Sequence, residues 1–95
     1  MRVGYIIAYD ISETKMRTKV FEALKDFGLK HIQESVFWGL LRVSDQNAVR
    51  RLLLEACTDT EDRALMWPMS LGDLERATAV NYPKTTFEVQ DHVIC

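Results

Sequence analysis

Residues 2–10 read RVGYIIAYD. Val3, Tyr5, Ile7 and Tyr9 share one parity, while Ile6 and Ala8 share the other. Successive side chains of a strand point to opposite faces, so both faces of this strand are apolar and both need a cover. The turn residues Ile11-Ser12-Glu13-Thr14 follow, with Ser12 or Thr14 placed to cap a helix. Met16, Val20, Ala23, Leu24 and Phe27 then recur at helical spacing, and Gly28 stands where a helix C′ residue belongs. One cover is therefore a helix that begins immediately after the strand.

Residues 29–43 read LKHIQESVFWGLLRV, too long for one strand and broken by the polar Gln33-Glu34-Ser35. The pattern predicts two strands, 29–34 and 36–43, joined by a tight turn or a bulge. Phe37 and Trp38 are neighbours on the second of them and must face opposite ways. Ser44-Asp45 then opens a second helix with Ala48, Val49, Leu52, Leu53 and Ala56 as its apolar stripe. Arg51 and Glu55 fall at i,i+4 on its outer surface. After an acidic turn at 58–62, residues 63–69 form a strand with Leu65, Trp67 and Met69 on one face. Pro68 marks its end or an edge position.

The order strand, helix, strand, strand, helix, strand is the α+β ferredoxin-like βαββαβ pattern, placed over residues 1–70. Both helices cover one face of a four-stranded antiparallel sheet. The other face keeps apolar residues, and a second copy is the expected cover, giving a sheet-to-sheet homodimer. Residues 71–95 form a C-terminal extension with no long helical stripe. Thr85 to Val89 is expected as an extra strand, added to the edge of its own sheet or the partner's.

Ninety-five residues and 11.0 kDa suit one domain, with 47% hydrophobic and 27% charged residues. A chain this short buries only about 60–65% of its unfolded surface, so a lone copy is marginally stable. The two cysteines, Cys57 and Cys95, make no disulfide framework or zinc motif and are expected as reduced thiols. His31 and His92 are expected at the surface. No apolar run approaches the roughly 20 residues of a membrane span. Met1-Arg2 leads straight into strand-like sequence without a secretory h-region, so a cytoplasmic protein is expected. The net charge of −2 hides an asymmetry: residues 1–51 carry nine basic against six acidic side chains, and residues 52–95 three against eight. A basic face on an acidic protein is thereby permitted.

Asp10, at the C-terminal end of the first strand, is the residue best placed for chemistry. Its carboxylate either accepts N–H bonds from the following turn or ligates a metal. Mg²⁺ usually takes one or two carboxylates with waters and phosphate oxygens, so a twofold axis near Asp10 would supply a second ligand. Lys15, Arg17 and Lys19 place positive charge on the adjoining helix, suited to phosphate oxygens or simply to solvent. One of Phe37 and Trp38 belongs to the core, leaving the other for an interface or a stacking surface. Ser35 either positions a water or phosphate or bonds its own backbone. No phosphate-binding glycine loop, nucleophile elbow or zinc-hydrolase motif is present.

Tyr9-Asp10-Ile11-Ser12, the helix residues Arg17 and Lys19, Gln33-x-Ser35-Val36-Phe37 and the strand at 63–69 together resemble the CRISPR-associated protein Cas two family over residues 1–70. The resemblance implies a ferredoxin-like homodimer that acquires new spacers with the integrase Cas one. It also implies a Mg²⁺-dependent endonuclease (or endoribonuclease), with Mn²⁺ as a substitute, cutting single-stranded RNA or double-stranded DNA. Asp10 is then the catalytic, metal-binding residue. Tyr9, Arg17, Ser35 and Phe37 match positions associated with activity or substrate contact. The sequence departs at His31, where arginine is common, at Glu34 before the serine, at Trp38, and from Leu71 onward. The rival expectation is a non-catalytic dimeric scaffold that bridges integrase subunits and holds short duplex DNA on Lys15, Arg17 and Lys19, with Asp10 as a structural cap. A small toxin-like ribonuclease of the same fold is a third.

Overall fold

The alternation in residues 2–10 produces a central strand. A computed structural model describes residues 2–88, in which β1 (Arg2–Asp10) pairs antiparallel with β3 (Val36–Arg42) on one side and β4 (Arg63–Met69) on the other. With β2 (Lys30–Gln33) outside β3, the sheet order is β2-β3-β1-β4. Helices α1 (Thr14–Asp26) and α2 (Val43–Ala56) supply the two crossovers. This is the expected four-stranded α+β architecture.

The odd-numbered residues of β1 face the helices. Tyr5, Ile7 and Tyr9 join Phe37 and Leu41 from β3, Val20 and Leu24 from α1, and Val49, Leu53 and Ala56 from α2 in one buried core. Helix α1 stops where Gly28 takes φ +88°, with Gly28 N–H donating to Lys25 O and Leu29 N–H to Leu24 O. That pair of bonds is a Schellman ending, which brings Leu29 down onto β3. Gly39 makes room there, since a Cβ on it would lie 2.7 Å from Leu29 Cδ2.

Between β2 and β3 the register shifts at His31/Gln33, and Glu34-Ser35 turn the chain, as the polar break predicts. Pro68 lies within β4, an edge strand, where its missing N–H costs no ladder bond on the outer side. The expected helix caps are corrected. Glu13 precedes α1 without a side-chain cap bond, and Ser12 bonds elsewhere. Helix α2 starts at Val43 after Arg42, so Ser44 and Asp45 lie inside its first turn, where Asp45 pairs with Arg42 at 3.5 Å.

The even-numbered side of β1 forms the second face. Trp38 lies there yet is buried, because the C-terminal segment folds back over it. After the short helix α3 (Leu71–Arg76), capped reciprocally by Ser70 and Asp73, the chain reaches a 3₁₀ turn at Lys84–Phe87. Phe87 packs 5.6 Å from the Trp38 ring, with Tyr82 5.5 Å beyond it. Lys30 Nζ donates to Thr85 O at 2.8 Å and to Thr86 O at 3.0 Å. The extra strand expected at 85–89 is thus corrected over 85–87. Carbonyls that a ladder would have used are taken by the side chains of Lys30 and Trp38, and Pro83 gives the segment no N–H. Val89, His92 and Cys95 lie outside the described residues. Among the described residues no helix is long and apolar enough to cross a membrane.

Candidate functional site

Asp10 ends β1 with even parity, so it belongs to the second face of the sheet, in register with Arg63. Its side chain is exposed and, among the described residues, has no hydrogen-bond or ion-pair partner. It borders a shallow recess of about 220 Å³ with Ala8, Tyr9, Arg63, Ala64 and Leu65. The capping role considered for Asp10 is filled by a different carboxylate. Asp62 Oδ1 accepts from both Ser12 N–H and Ser12 Oγ–H at 2.9 Å, and its Oδ2 accepts from Asp59 N–H at 3.1 Å. Those bonds, led by the one from Ser12 N–H, hold the Asp62 carboxyl below its ordinary value.

Tyr9, one residue earlier, faces the helices. Its N–H donates to Ser35 O at 3.1 Å, and its ring lies nearly parallel to Phe37 at 6.4 Å. Phe37 is fully buried and also meets Phe21 at 5.5 Å and His31 at 4.9 Å. His31 Nε2 lies 3.0 Å from Glu34 O; the carbonyl only accepts, so that nitrogen carries the proton. A cavity of about 250 Å³ opens above this stack, lined by Tyr9, Arg17, Thr18, Phe21, Glu34 and Ser35. Burial pushes the Tyr9 phenol up, and the nearby Arg17 guanidinium partly opposes it.

The three basic residues of α1 separate. Lys15 and Lys19, four apart, share an exposed face. Arg17 lies roughly 200° round the helix from Lys15. Its Nη1 donates to Ile11 O at 2.9 Å and Ser12 O at 3.3 Å, and its Nη2 to Thr14 Oγ1 at 3.2 Å. The end of β1 therefore joins two recesses back to back: Tyr9, Arg17 and Ser35 on the helix side, Asp10 and Arg63 on the other. Lys15 and Lys19 belong to neither lining. Asp62 and Arg63 escape the sequence reading. Their signal lay in the topology, because an antiparallel β4 must begin where β1 ends.

A divalent cation finds an incomplete donor set in one chain. No group of three metal-ligating side chains occurs among the described residues. An unpartnered, exposed carboxylate is nonetheless the hard oxygen donor that Mg²⁺ takes, so Asp10 fits as one ligand of a site that needs more oxygens.

The fold and this strand-end carboxylate define a ferredoxin-like protein with both helices on one side of its sheet and an acidic group at the open side. The profile of the family "CRISPR associated protein Cas2" matches residues 1–77, and the chain belongs to that family. It is 33% identical over 91 residues to a CRISPR-associated endoribonuclease Cas2 of Francisella tularensis subsp. novicida, covering 96% of this chain and 93% of that protein. A relative of the same description from Desulforudis audaxviator is 35% identical over 75 residues, covering 79% of this chain and 71% of its own. Among solved structures, a Thermus thermophilus protein described as hypothetical superposes with a TM-score of 0.65 at 27% identity, over 74% of this chain and 84% of that one.

Proposed function

We propose that this chain is a metal-dependent endonuclease of CRISPR spacer acquisition, acting as a homodimer on nucleic-acid phosphodiesters. The observation that carries the reading is the free, exposed carboxylate of Asp10 at the end of the central strand. Single-stranded RNA is the first substrate to offer, since the relatives are named endoribonucleases; short duplex DNA is the second.

The second face of the sheet supports a homodimer. Leu65 and Trp67 lie on it in register with Ala8 and Ile6, and they are 45% and 66% exposed. A second copy packed there would bring its own Asp10 toward this one, and the two carboxylates would hold Mg²⁺ or Mn²⁺. Such an ion supplies Lewis acidity toward a phosphate oxygen when bound. Lys15 and Lys19 attract the phosphate backbone without reading sequence. Arg17 and Ser35 line the recess beside Tyr9, whose raised phenol stays protonated through neutral pH and offers an O–H donor there. Phe37 supports Tyr9 from below.

The scaffold reading has its own support. The exposed Lys15–Lys19 face stands apart from Asp10, so a dimer without cleavage could hold duplex DNA there while bridging copies of the integrase Cas one. Nuclease assays with Mg²⁺ and with EDTA, comparing the wild type and Asp10→Ala, separate the two. Metal-dependent cleavage that disappears in the variant carries the enzyme reading. Equal or absent cleavage leaves the scaffold.

A further inference from the structure

Among the described residues Asp10 has no side-chain partner, so the main chain is what aims its Cα–Cβ bond. The ladder fixes it on the N-terminal side, where Asp10 faces Arg63 in the last pair of β1 and β4. The residues that follow lie outside any ladder: Ile11 is anchored by its side chain in the core, and two charged side chains hold the backbone around Ser12. Ser12 is the meeting point. Its N–H and Oγ–H both donate to Asp62 Oδ1, across a sequence separation of 50. Its carbonyl accepts from Arg17 Nη1, the same nitrogen that holds Ile11 O. Asp62 is itself tethered through Oδ2 by Asp59 N–H. A carboxylate and a guanidinium thus grip the Ile11–Ser12 peptide from opposite sides, directly after Asp10. Solvent would satisfy the exposed Ser12 groups equally well, so for Asp62 satisfying the backbone does not by itself require the grip.

We infer that Asp62 is a positioning residue for Asp10, with Arg17 as its counterpart, locking the 11–12 loop so that the Cα–Cβ bond of Asp10 stays aimed at the open face and its carboxylate has fewer orientations to lose when it takes up a metal. The inference rests on the reading of Asp10 as the metal-holding carboxylate. Groups that orient a metal-binding ligand typically change affinity or activity about 10–100-fold when removed.

The test uses the full chain as wild type, Asp62→Ala and Asp62→Asn, with Mn²⁺ as the probe. Paramagnetic broadening of the Asp10 and Ile11 amide resonances gives the binding midpoint, and cleavage of single-stranded RNA gives kcat and KM separately. Asp62→Ala is expected to raise the Mn²⁺ midpoint about tenfold and to lower kcat with KM little changed. Asp62→Asn keeps an oxygen acceptor for Ser12 and is expected to recover most of both. A folded Asp62→Ala with the wild-type midpoint, or an Asp62→Asn as impaired as Asp62→Ala, overturns the inference. Should Asp62→Ala fail to fold, Ser12→Ala takes its place, since it deletes only the Oγ bond; a weaker midpoint supports the lock and an unchanged one overturns it. Absence of broadening at Asp10 in the wild type defeats the reading of Asp10 itself, and the lock with it. That outcome is distinct from a loss confined to the variants.

Discussion

The indole N–H of Trp38 donates to the main-chain carbonyl of Thr86 at 2.9 Å, across 48 positions of sequence. This bond, with Phe87 packed at a tilt on the indole and Lys30 on the neighbouring carbonyls, holds the C-terminal segment over the β2–β3 side of the second sheet face. Trp38→Phe removes the donor together with part of the buried ring and is expected to cost about 1–3 kcal/mol, while Trp38→Ala costs about 3–5 kcal/mol. Urea denaturation measures both. Faster proteolytic cleavage between residues 77 and 88 in both variants would show that the cost falls on the segment; unchanged cleavage would refute its docking on Trp38.

Two glycines are required by geometry, for different reasons. Gly28→Ala places a Cβ at φ +88° in open space, a conformational cost of about 1–2 kcal/mol. Gly39→Ala meets Leu29 at 2.7 Å on Cδ2 and 3.3 Å on Cα. The flexible end of Leu29 can move but its backbone cannot, so overpacking is expected to cost about 1–3 kcal/mol. Denaturation midpoints of the two variants test this. A neutral Gly39→Ala would mean that Leu29 is not seated on β3.

Stability should fall at both extremes of pH, for identifiable reasons. Burial raises the Tyr9 pKa in the folded chain, so the unfolded chain ionises first as pH climbs past about 10. The Tyr9 contribution is complete below that value and is lost as pH rises through the folded pKa. Asp62 and Asp73 are lowered by hydrogen bonds from Ser12 and Ser70, so their contributions are present above the ordinary value of 3.8 and are lost as pH falls through the folded ones. Tyr9→Phe should flatten the alkaline limb of a melting-temperature profile, and Asp62→Asn the acid limb. Identical profiles in wild type and variants would contradict these assignments.

Lys15 and Lys19 make a separable claim about nucleic acid. If each neutralises one phosphate of single-stranded RNA, reversing both charges should weaken binding and shrink the slope of log K against log salt by about 1.4 per chain. Fluorescence anisotropy at several salt concentrations reads this directly. An unchanged slope would remove that helix face from the binding surface. Cleavage chemistry plays no part in this measurement, so the same titration with short duplex DNA tests the scaffold reading.

Local pattern carried most of the fold into the sequence. The double-faced strand at 2–10, the Gly28 stop and the break at 33–35 each follow from a short run of residues, and the six elements between residues 2 and 69 formed within a residue or two of their predicted bounds. Side-chain competition carried the errors. Ser12 looked like a helix cap but was drawn to Asp62, and Thr85-Thr86 looked like a strand but gave their carbonyls to Lys30 and Trp38. Both partners lie about 50 residues away, beyond any local pattern. The site was legible only in part for the same reason. Tyr9, Arg17 and Ser35 converge because β1, α1 and the β2–β3 turn meet, whereas Lys15 and Lys19 follow the helix period away from them.

Trp67 and Leu65 give the homodimer its sharpest test. Both lie on the face that carries Asp10, and in the single chain they stand 66% and 45% exposed, beyond the segment that covers Trp38. Trp67 is mostly free of contacts within the chain, so Trp67→Asp should change monomer stability by about 0.5 kcal/mol or less, while Leu65→Asp, at a more than half-covered side chain, should cost about 1 kcal/mol. Dimerisation is different, because a carboxylate buried without a partner in an apolar interface carries a large desolvation penalty. Sedimentation equilibrium is expected to show the wild type as a dimer and the double variant as a folded monomer. Metal-dependent cleavage should fall with the dimer, because the second Asp10 leaves with the second copy. A double variant that stays dimeric would place the interface elsewhere. A monomer that cleaves at the wild-type rate would show that one Asp10 suffices.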